Sequence, residues 1–167
     1  MFRTFLALAV CLFSLSARAD DPRLTIGAGV FDLVAHRDHL AEGRVSYRLG
    51  DGLFDNDGTF RGLKPFVAGM VNSKGGLFGY AGLAAPFQWD NGLWEFEPSA
   101  GLGAYHRGTG IDAGGTFEFH LGLAGSYAIN DNARLGVAIT HISNAGTHKK
   151  NPGINSALLT WSWSFRD

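Results

Sequence analysis

Phe117-Glu118-Phe119-His120-Leu121-Gly122-Leu123-Ala124 decides the fold. Phe117, Phe119, Leu121 and Leu123 recur at every second position, with Glu118, His120, Gly122 and Ala124 between them. A period of two is the mark of a strand with two unlike faces. A soluble barrel puts its large apolar side chains inside, but the interior of an eight-stranded barrel is narrow and suits small residues with a few paired polar ones. The two sets therefore read as a membrane barrel, with Phe and Leu outward to lipid and Gly, Ala, Ser and Glu inward. A soluble sandwich or lipocalin-like barrel with inverted faces is the competing reading.

The same alternation extends in both directions. Trp94, Phe96, Ala100 and Leu102 oppose Glu95, Glu97, Ser99 and Gly101. About eight stretches of this kind recur, with cores near 24–33, 42–49, 63–71, 77–88, 93–105, 117–128, 134–143 and 155–165. Ser73-Lys74-Gly75-Gly76, Asp90-Asn91-Gly92 and Asn130-Asp131-Asn132 separate neighbouring stretches and suit tight hairpins. The expected fold is an all-β, eight-stranded antiparallel transmembrane β-barrel in which Trp161, Trp163 and Phe165 sit at a membrane interface. Gly50–Gly62 fits less well, as a long turn where short ones are expected. Its Asp55-Asn56-Asp57-Gly58 run hints weakly at calcium but lacks the rest of an EF-hand loop, so a solvated loop is the expectation.

Composition agrees. The chain has 24 glycines, 13% aromatic and 46% hydrophobic residues, and a net charge of −1. That balance gives no basic stripe for nucleic acid. Residues 1–19 read as a signal peptide, with Arg3 in a short positive region, an apolar run from Phe5 to Leu15, and Ala17-Arg18-Ala19 as the cleavage site. Cys11 lies inside that run, and Leu8-Ala9-Val10-Cys11 departs from a lipoprotein signal at the bulky Val10. The barrel domain is then 20–167, without cysteine, exported to the outer membrane of a Gram-negative cell.

In the seventh stretch Leu135, Val137, Ile139, His141 and Ser143 share one face. Polar groups in a lipid-facing row are tolerated near an interface, so His141-x-Ser143 belongs at the strand's outer end. Asn155 falls in line with Ala157, Leu159 and Trp161 on the last strand, and hairpin closure brings it beside His141 and Ser143. Such a set allows imidazole to take a serine proton while a third group orients the ring. Asn144 and Gly146 follow, with an amide side chain and an unhindered backbone N–H that suit an oxyanion, and Asn151-Pro152-Gly153 shapes the return. From spacing alone, His-x-Ser on a strand is more often two interfacial polar residues.

His141-Ile142-Ser143-Asn144-Ala145-Gly146, followed by Asn151-Pro152-Gly153 and an aromatic-rich final strand, resembles the outer-membrane lipid A 3-O-deacylase family, the PagL type. The likeness is specific over 141–155 and supported upstream by the signal peptide, chain length and strand pattern. It implies an active site on the barrel's outer surface, with Ser143 as nucleophile, His141 as base, and an oxyanion hole at Asn144 and Gly146. It implies hydrolysis of the ester-linked 3-hydroxyacyl chain at position 3 of lipid A, with lipopolysaccharide of the outer leaflet as partner and neither cofactor nor metal. The family's acidic third member, usually Glu, aligns with Asn155, which can orient the ring but cannot offset imidazolium charge. A non-enzymatic barrel serving adhesion, envelope integrity or solute passage is the alternative.

Other polar groups have two readings each. Glu118 with His120, and Glu95 with Glu97, suggest acid–base or metal chemistry, or a lumen network completed by Arg44 and Arg134. His36-Arg37-Asp38-His39, His106-Arg107 and His148-Lys149-Lys150 are solvated loops, or contacts to lipid A phosphates; His148, Lys149 and Lys150 lie beside the His/Ser motif. Gly27-Ala28-Gly29 and Gly101-Leu102-Gly103 lie within strands and do not read as nucleotide loops. No Gly-x-Ser-x-Gly elbow occurs.

Overall fold

The computed structural model describes residues 20–34 and 39–165. The signal-peptide reading and His36, Arg37 and Asp38 lie outside the described residues. Nine strands follow in order: β1 (Arg23–Phe31), β2 (Leu40–Arg48), β3 (Lys64–Asn72), β4 (Leu77–Ala84), β5 (Phe87–Trp89), β6 (Trp94–His106), β7 (Phe117–Ala128), β8 (Ala133–Ser143) and β9 (Ile154–Ser164). All pairings are antiparallel, and β1 pairs with β9 while β4 pairs with β6, so the sheet closes. Strands β4 and β5 both pair with β6 and are two pieces of one wall strand, interrupted at Ala85-Pro86. The barrel is thus eight-stranded. Closure leaves no unpaired sheet edge, which hydrocarbon would penalise.

Turn chemistry sets the tight connections. In Asp90–Leu93 the Leu93 N–H donates to Asp90 O at 3.0 Å while Asn91 and Gly92 hold φ of 54° and 81°, a type I′ hairpin turn. These links define two ends of the molecule. Residues 32–34 and 39 and the connections 73–76, 107–116 and 144–153 lie at one end, called here the site end; those at 49–63, 90–93 and 129–132 lie at the other.

The outer wall carries the apolar rows read from sequence. Leu121 and Leu123 on β7, Val137 and Ile139 on β8, Leu102 on β6 and Leu159 on β9 are all exposed. Around the far end Tyr47, Trp89, Trp94, Tyr127 and Trp163 form an exposed aromatic girdle of the kind that marks a membrane interface.

The lumen is divided. Toward the far end it is ionic: Arg23 bonds Glu95, Arg48 bonds Glu97 at 2.6 Å, and Gln88 donates to Glu95 at 2.6 Å. Arg134 donates to Ser126 Oγ and to the carbonyls of Gly92 and Leu93. Toward the site end the small-and-polar expectation gives way to an apolar plug. Phe31, Leu40, Phe78, Tyr105, Ile142 and Ile154 fill it, and Ile111 and Ala113 of the 107–116 connection fold over it. Glycine on the adjacent strand makes room for Tyr80: a Cβ on its register partner Gly103 would lie 2.5 Å from Tyr80 Cβ. Glu95 and Glu97 join the ionic network, whereas Glu118 and His120 lie inward without joining it.

The long 49–63 connection is ordered. Lys64 Nζ donates to Gly50 O at 2.7 Å and to Asp55 Oδ1 at 2.8 Å, and Arg61 pairs with Asp20 at 2.8 Å. Asp55 Oδ2 also accepts the Gly52 N–H, so the carboxylate of the Asp-x-Asn-type run is taken up by the chain itself.

Candidate functional site on the lipid face

Strand β8 continues its exposed row of Leu135, Val137 and Ile139 into His141 and Ser143, both half-buried. The β8–β9 register sets His141 directly across from Asn155. Their side chains meet, with His141 Nδ1 2.9 Å from Asn155 Oδ1. An amide oxygen only accepts, so Nδ1 carries a proton, and in the neutral ring the lone pair is then on Nε2. Ser143 follows two positions along the same row, and Phe119 of β7 lies across from it, as Leu121 does from His141. Among the described residues no hydrogen bond joins Ser143 to the ring.

Gly153 locks the ring from the loop side. It holds φ of 60°, and a Cβ there would lie 2.9 Å from His141 Cε1. Only a glycine both adopts that backbone without strain and lets imidazole approach so closely. Exposed apolar residues adjoin the pair: Leu121 lies across from His141, and the Leu33 N–H is tied to Asn155 O at 2.8 Å, with exposed Val34 next in the chain and Phe117 farther along the Leu121 row.

Beyond Ser143 the chain turns sharply. Thr147 N–H donates to Asn144 O at 3.0 Å, and Thr147 Oγ1 donates to the same oxygen at 2.8 Å. Ala145 and Gly146 hold φ of 51° and 79°, so residues 144–147 form a second type I′ turn, here with an alanine in the left-handed region. The Asn144 N–H reaches Asn151 Oδ1 at 3.1 Å, and the Gly146 N–H reaches Asn144 Oδ1 at 3.0 Å. The Asn144 carboxamide points inward and is fully buried, its two N–H groups donating to Ala113 O at 3.1 Å and Lys150 O at 2.8 Å. The Asn144 side chain thus staples the turn to its neighbours, and the backbone N–H groups of Asn144 and Gly146 end on side-chain oxygens of the same loop.

The basic residues of the loop differ from one another. Lys150 pairs with Asp112 at 2.9 Å, and that hydrogen bond, with the Gly114 N–H, holds the Asp112 carboxyl below the ordinary range. His148 Nδ1 lies 3.1 Å from Thr147 Oγ1, and its ring covers Gly115. Lys149 is exposed.

Sequence reasoning brought His141, Ser143 and Asn155 to one face and missed two contacts, since it reads Asn151 and Gly153 only as residues of the loop's return. Pairing 143 with 155 by hairpin closure leaves no signal for Gly153 against the ring. Only the register, with His141 across from Asn155, places the loop's last glycine there.

A closed barrel with an apolar belt, and a histidine–serine pair set into that belt, defines an outer-membrane β-barrel with a candidate hydrolytic site facing lipid. The sequence profile of the family described as "Lipid A 3-O-deacylase (PagL)" matches residues 39–164. The chain belongs to that family. It is 33% identical over 85 residues to "Lipid A deacylase PagL" of Bordetella bronchiseptica (strain ATCC BAA-588 / NCTC 13252 / RB50), a match covering 47% of this chain and 46% of that protein. The chain thus aligns with about half the length of that curated relative. In fold it is similar to the crystal structure of the outer membrane enzyme PagL, with a TM-score of 0.64 at 18% identity over 86% of this chain and 99% of that one. A de novo designed transmembrane β-barrel gives 0.62 at 11% identity over 90% and 100%, and Neisserial surface protein A gives 0.53 at 16% over 86% and 96%.

Proposed function

We propose that this protein is a lipid A 3-O-deacylase, a serine esterase that removes the 3-hydroxyacyl chain at position 3 of lipid A. The observation that carries the reading is the His141–Asn155 hydrogen bond, 2.9 Å long, on a row that otherwise faces hydrocarbon. A barrel with only a structural role has no need to orient an imidazole there. In this reading the N-terminal 19 residues direct export, the site end lies outside the cell, and lipopolysaccharide of the outer leaflet meets the site from the side.

His141 Nε2 takes the Ser143 proton as Oγ attacks the ester carbonyl. Asn155 holds the ring in the tautomer that leaves Nε2 free, without the charge compensation a carboxylate gives. The backbone N–H groups of Asn144 and Gly146 are the oxyanion donors, exchanging Asn151 Oδ1 and Asn144 Oδ1 for the developing charge. Collapse of the tetrahedral species returns the proton from His141 to the leaving 3-hydroxyl of lipid A and leaves an acyl-serine. Water, activated by the same nitrogen, then releases the hydroxy fatty acid. The apolar frame of Phe117, Leu121, Leu33 and Val34 receives acyl chain. Of the basic residues, His148 and Lys149 are the freer partners for a lipid A phosphate, because Lys150 is already paired with Asp112.

The test is release of 3-hydroxy fatty acid from lipid A by purified protein in detergent. Ser143→Ala and His141→Ala should each abolish it while the barrel still shows heat-modifiable migration. The double variant should be no worse than either single one, as expected of residues acting as a unit. Full release by folded Ser143→Ala would overturn the assignment.

A further inference from the structure

The 49–63 connection carries the outer wall past the ends of its strands. The Leu49 N–H donates to Pro65 O at 2.9 Å, and Leu53 and Leu63 exchange backbone hydrogen bonds of 2.9 and 2.8 Å. Beside the break at Ala85-Pro86, the Arg61 N–H donates to Pro86 O at 2.9 Å, the Gln88 N–H donates to Thr59 O at 2.7 Å, and Phe60 pairs with Phe87. Residues directly across from one another in a sheet share a face. Leu63 continues the row of Pro65 and the exposed Val67, so Leu53, across from Leu63, lies on the outer face with Tyr47 and Leu49. Phe87 lies across from the exposed Phe96, which puts Phe60 and Phe87 outside as well, their ring centroids 5.3 Å apart. The segment therefore presents an apolar outer face that adjoins the girdle of Tyr47, Trp89 and Trp94.

Phe54 is the tip of this segment. Its side chain is 76% exposed, more than Val137 of the belt at 61%. Its φ of 61° is one that asparagine and glycine adopt easily and a bulky side chain does not. A loop that only had to turn would be better served by either. Neighbouring contacts fix the conformation: Asp55 accepts the Gly52 N–H at 2.9 Å and Lys64 Nζ at 2.8 Å, and Asn56 Nδ2 donates to Phe54 O at 3.2 Å. The protein interior offers no burial that offsets the strain, since the ring projects outward. Water offers none either, whereas the boundary of a bilayer does. The charges of the segment do not oppose this: Asp55 pairs with Lys64 and Arg61 with Asp20, and the exposed Asp51 and Asp57 are tolerated at headgroup level.

We propose that Leu53 and Phe54 form a membrane-inserting tip, seated in the headgroup–acyl boundary of the phospholipid leaflet at the far end of the barrel. Leu49, Leu63 and the Phe60–Phe87 pair continue the lipid contact from the belt to the tip. That continuity selects lipid as the occupant of this face over a protein partner. The contact is independent of the esterase reading, from which only the identity of the leaflet as the periplasmic one follows.

The experiment places nitroxide spin labels at Leu53→Cys, Phe54→Cys, Asn56→Cys and Ile139→Cys, each in a Cys11→Ala background. The protein is reconstituted into phosphatidylethanolamine/phosphatidylglycerol vesicles and checked by heat-modifiable migration. Collisions of each label with oxygen, which enters bilayers, are compared with collisions with a water-soluble nickel chelate. Labels at 53 and 54 should favour oxygen at a depth of about 5–10 Å, between the belt label at 139 and the water-exposed label at 56. In unlabelled protein Phe54→Asn should lower the temperature of heat modification in vesicles even though asparagine relieves the strained backbone, while Phe54→Leu should stay close to wild type. A solvated loop gives the opposite sign, because asparagine would then stabilise the turn. Should Phe54→Asn not fold, the labels decide alone. Nickel exposure at 53 and 54 equal to that at 56, or a Phe54→Asn barrel at least as heat-stable as wild type, would overturn the proposal. So would labels shielded from both reagents in native outer membranes yet open to nickel in vesicles, a result that assigns this face to a periplasmic protein.

Discussion

In the proposed mechanism His141 acts as a base only while its Nδ1–H is held and Nε2 is bare, and Asn155 Oδ1 at 2.9 Å supplies the hold. Asn155→Ala removes it, and lipid A turnover should fall by about 10²- to 10⁴-fold, bounded above by loss of the orienting group in serine hydrolases. Unchanged turnover would make Asn155 a bystander. Asn155→Glu should raise the rate if the carboxylate pairs with the ring, because charge compensation is then added to orientation. Gly153→Ala tests the other side of the ring. The added methyl meets Cε1 at 2.9 Å on a backbone with φ of 60°, so the ring must move. We expect a folded barrel with turnover reduced about 100-fold, measured as fatty acid release.

At the level of elements, the 144–147 turn stores strain. Ala145 at φ of 51° sits where glycine is at ease and a β-branched side chain is not. Ala145→Gly relieves about 1–2 kcal/mol of strain and loses about 0.4–1 kcal/mol to the freer unfolded chain, so its stability should match or slightly exceed wild type. Ala145→Val should lower both the temperature of the heat-modifiable shift and activity; a Val variant equal to wild type would show that the turn is not constrained. The strands were legible from sequence because lipid outside and a narrow lumen inside enforce strict alternation, as Phe117 to Ala124 show. Interruption of the fourth wall strand at Ala85-Pro86 was not, since Phe87-Gln88-Trp89 keeps the same alternation across the break. Nor was the inward turn of Asn144. Alternation from Ser143 implies it, but one of the two carbonyls that receive its carboxamide lies in another loop, 31 positions away at Ala113.

For the whole molecule, the lumen is ionic toward one end and apolar toward the other, and this division argues against solute passage. Phe31, Phe78, Tyr105, Ile142 and Ile154 close the site end, and Ile111 and Ala113 cover them. The interior could not be read in full because a strand's alternation says which side chains face inward but not which of them meet across the barrel. The belt predicts that a spin label at Ile139, 60% exposed, reports hydrocarbon while one at Ala138 reports the lumen. The buried Arg23–Glu95 pair predicts that Glu95→Gln, which strands a guanidinium, destabilises the barrel by about 3–5 kcal/mol, visible as a lower temperature of heat modification.

The central claim, that a serine on the lipid face cleaves the position-3 acyl ester, is tested most directly by mass spectrometry of lipid A from Gram-negative cells expressing the protein. Wild type should convert lipid A to a species lighter by one 3-hydroxyacyl group, with the loss mapped to position 3, while Ser143→Ala, present and heat-modifiable at equal level, leaves it unchanged. Identical lipid A from both strains, or the same loss from both, would contradict the account.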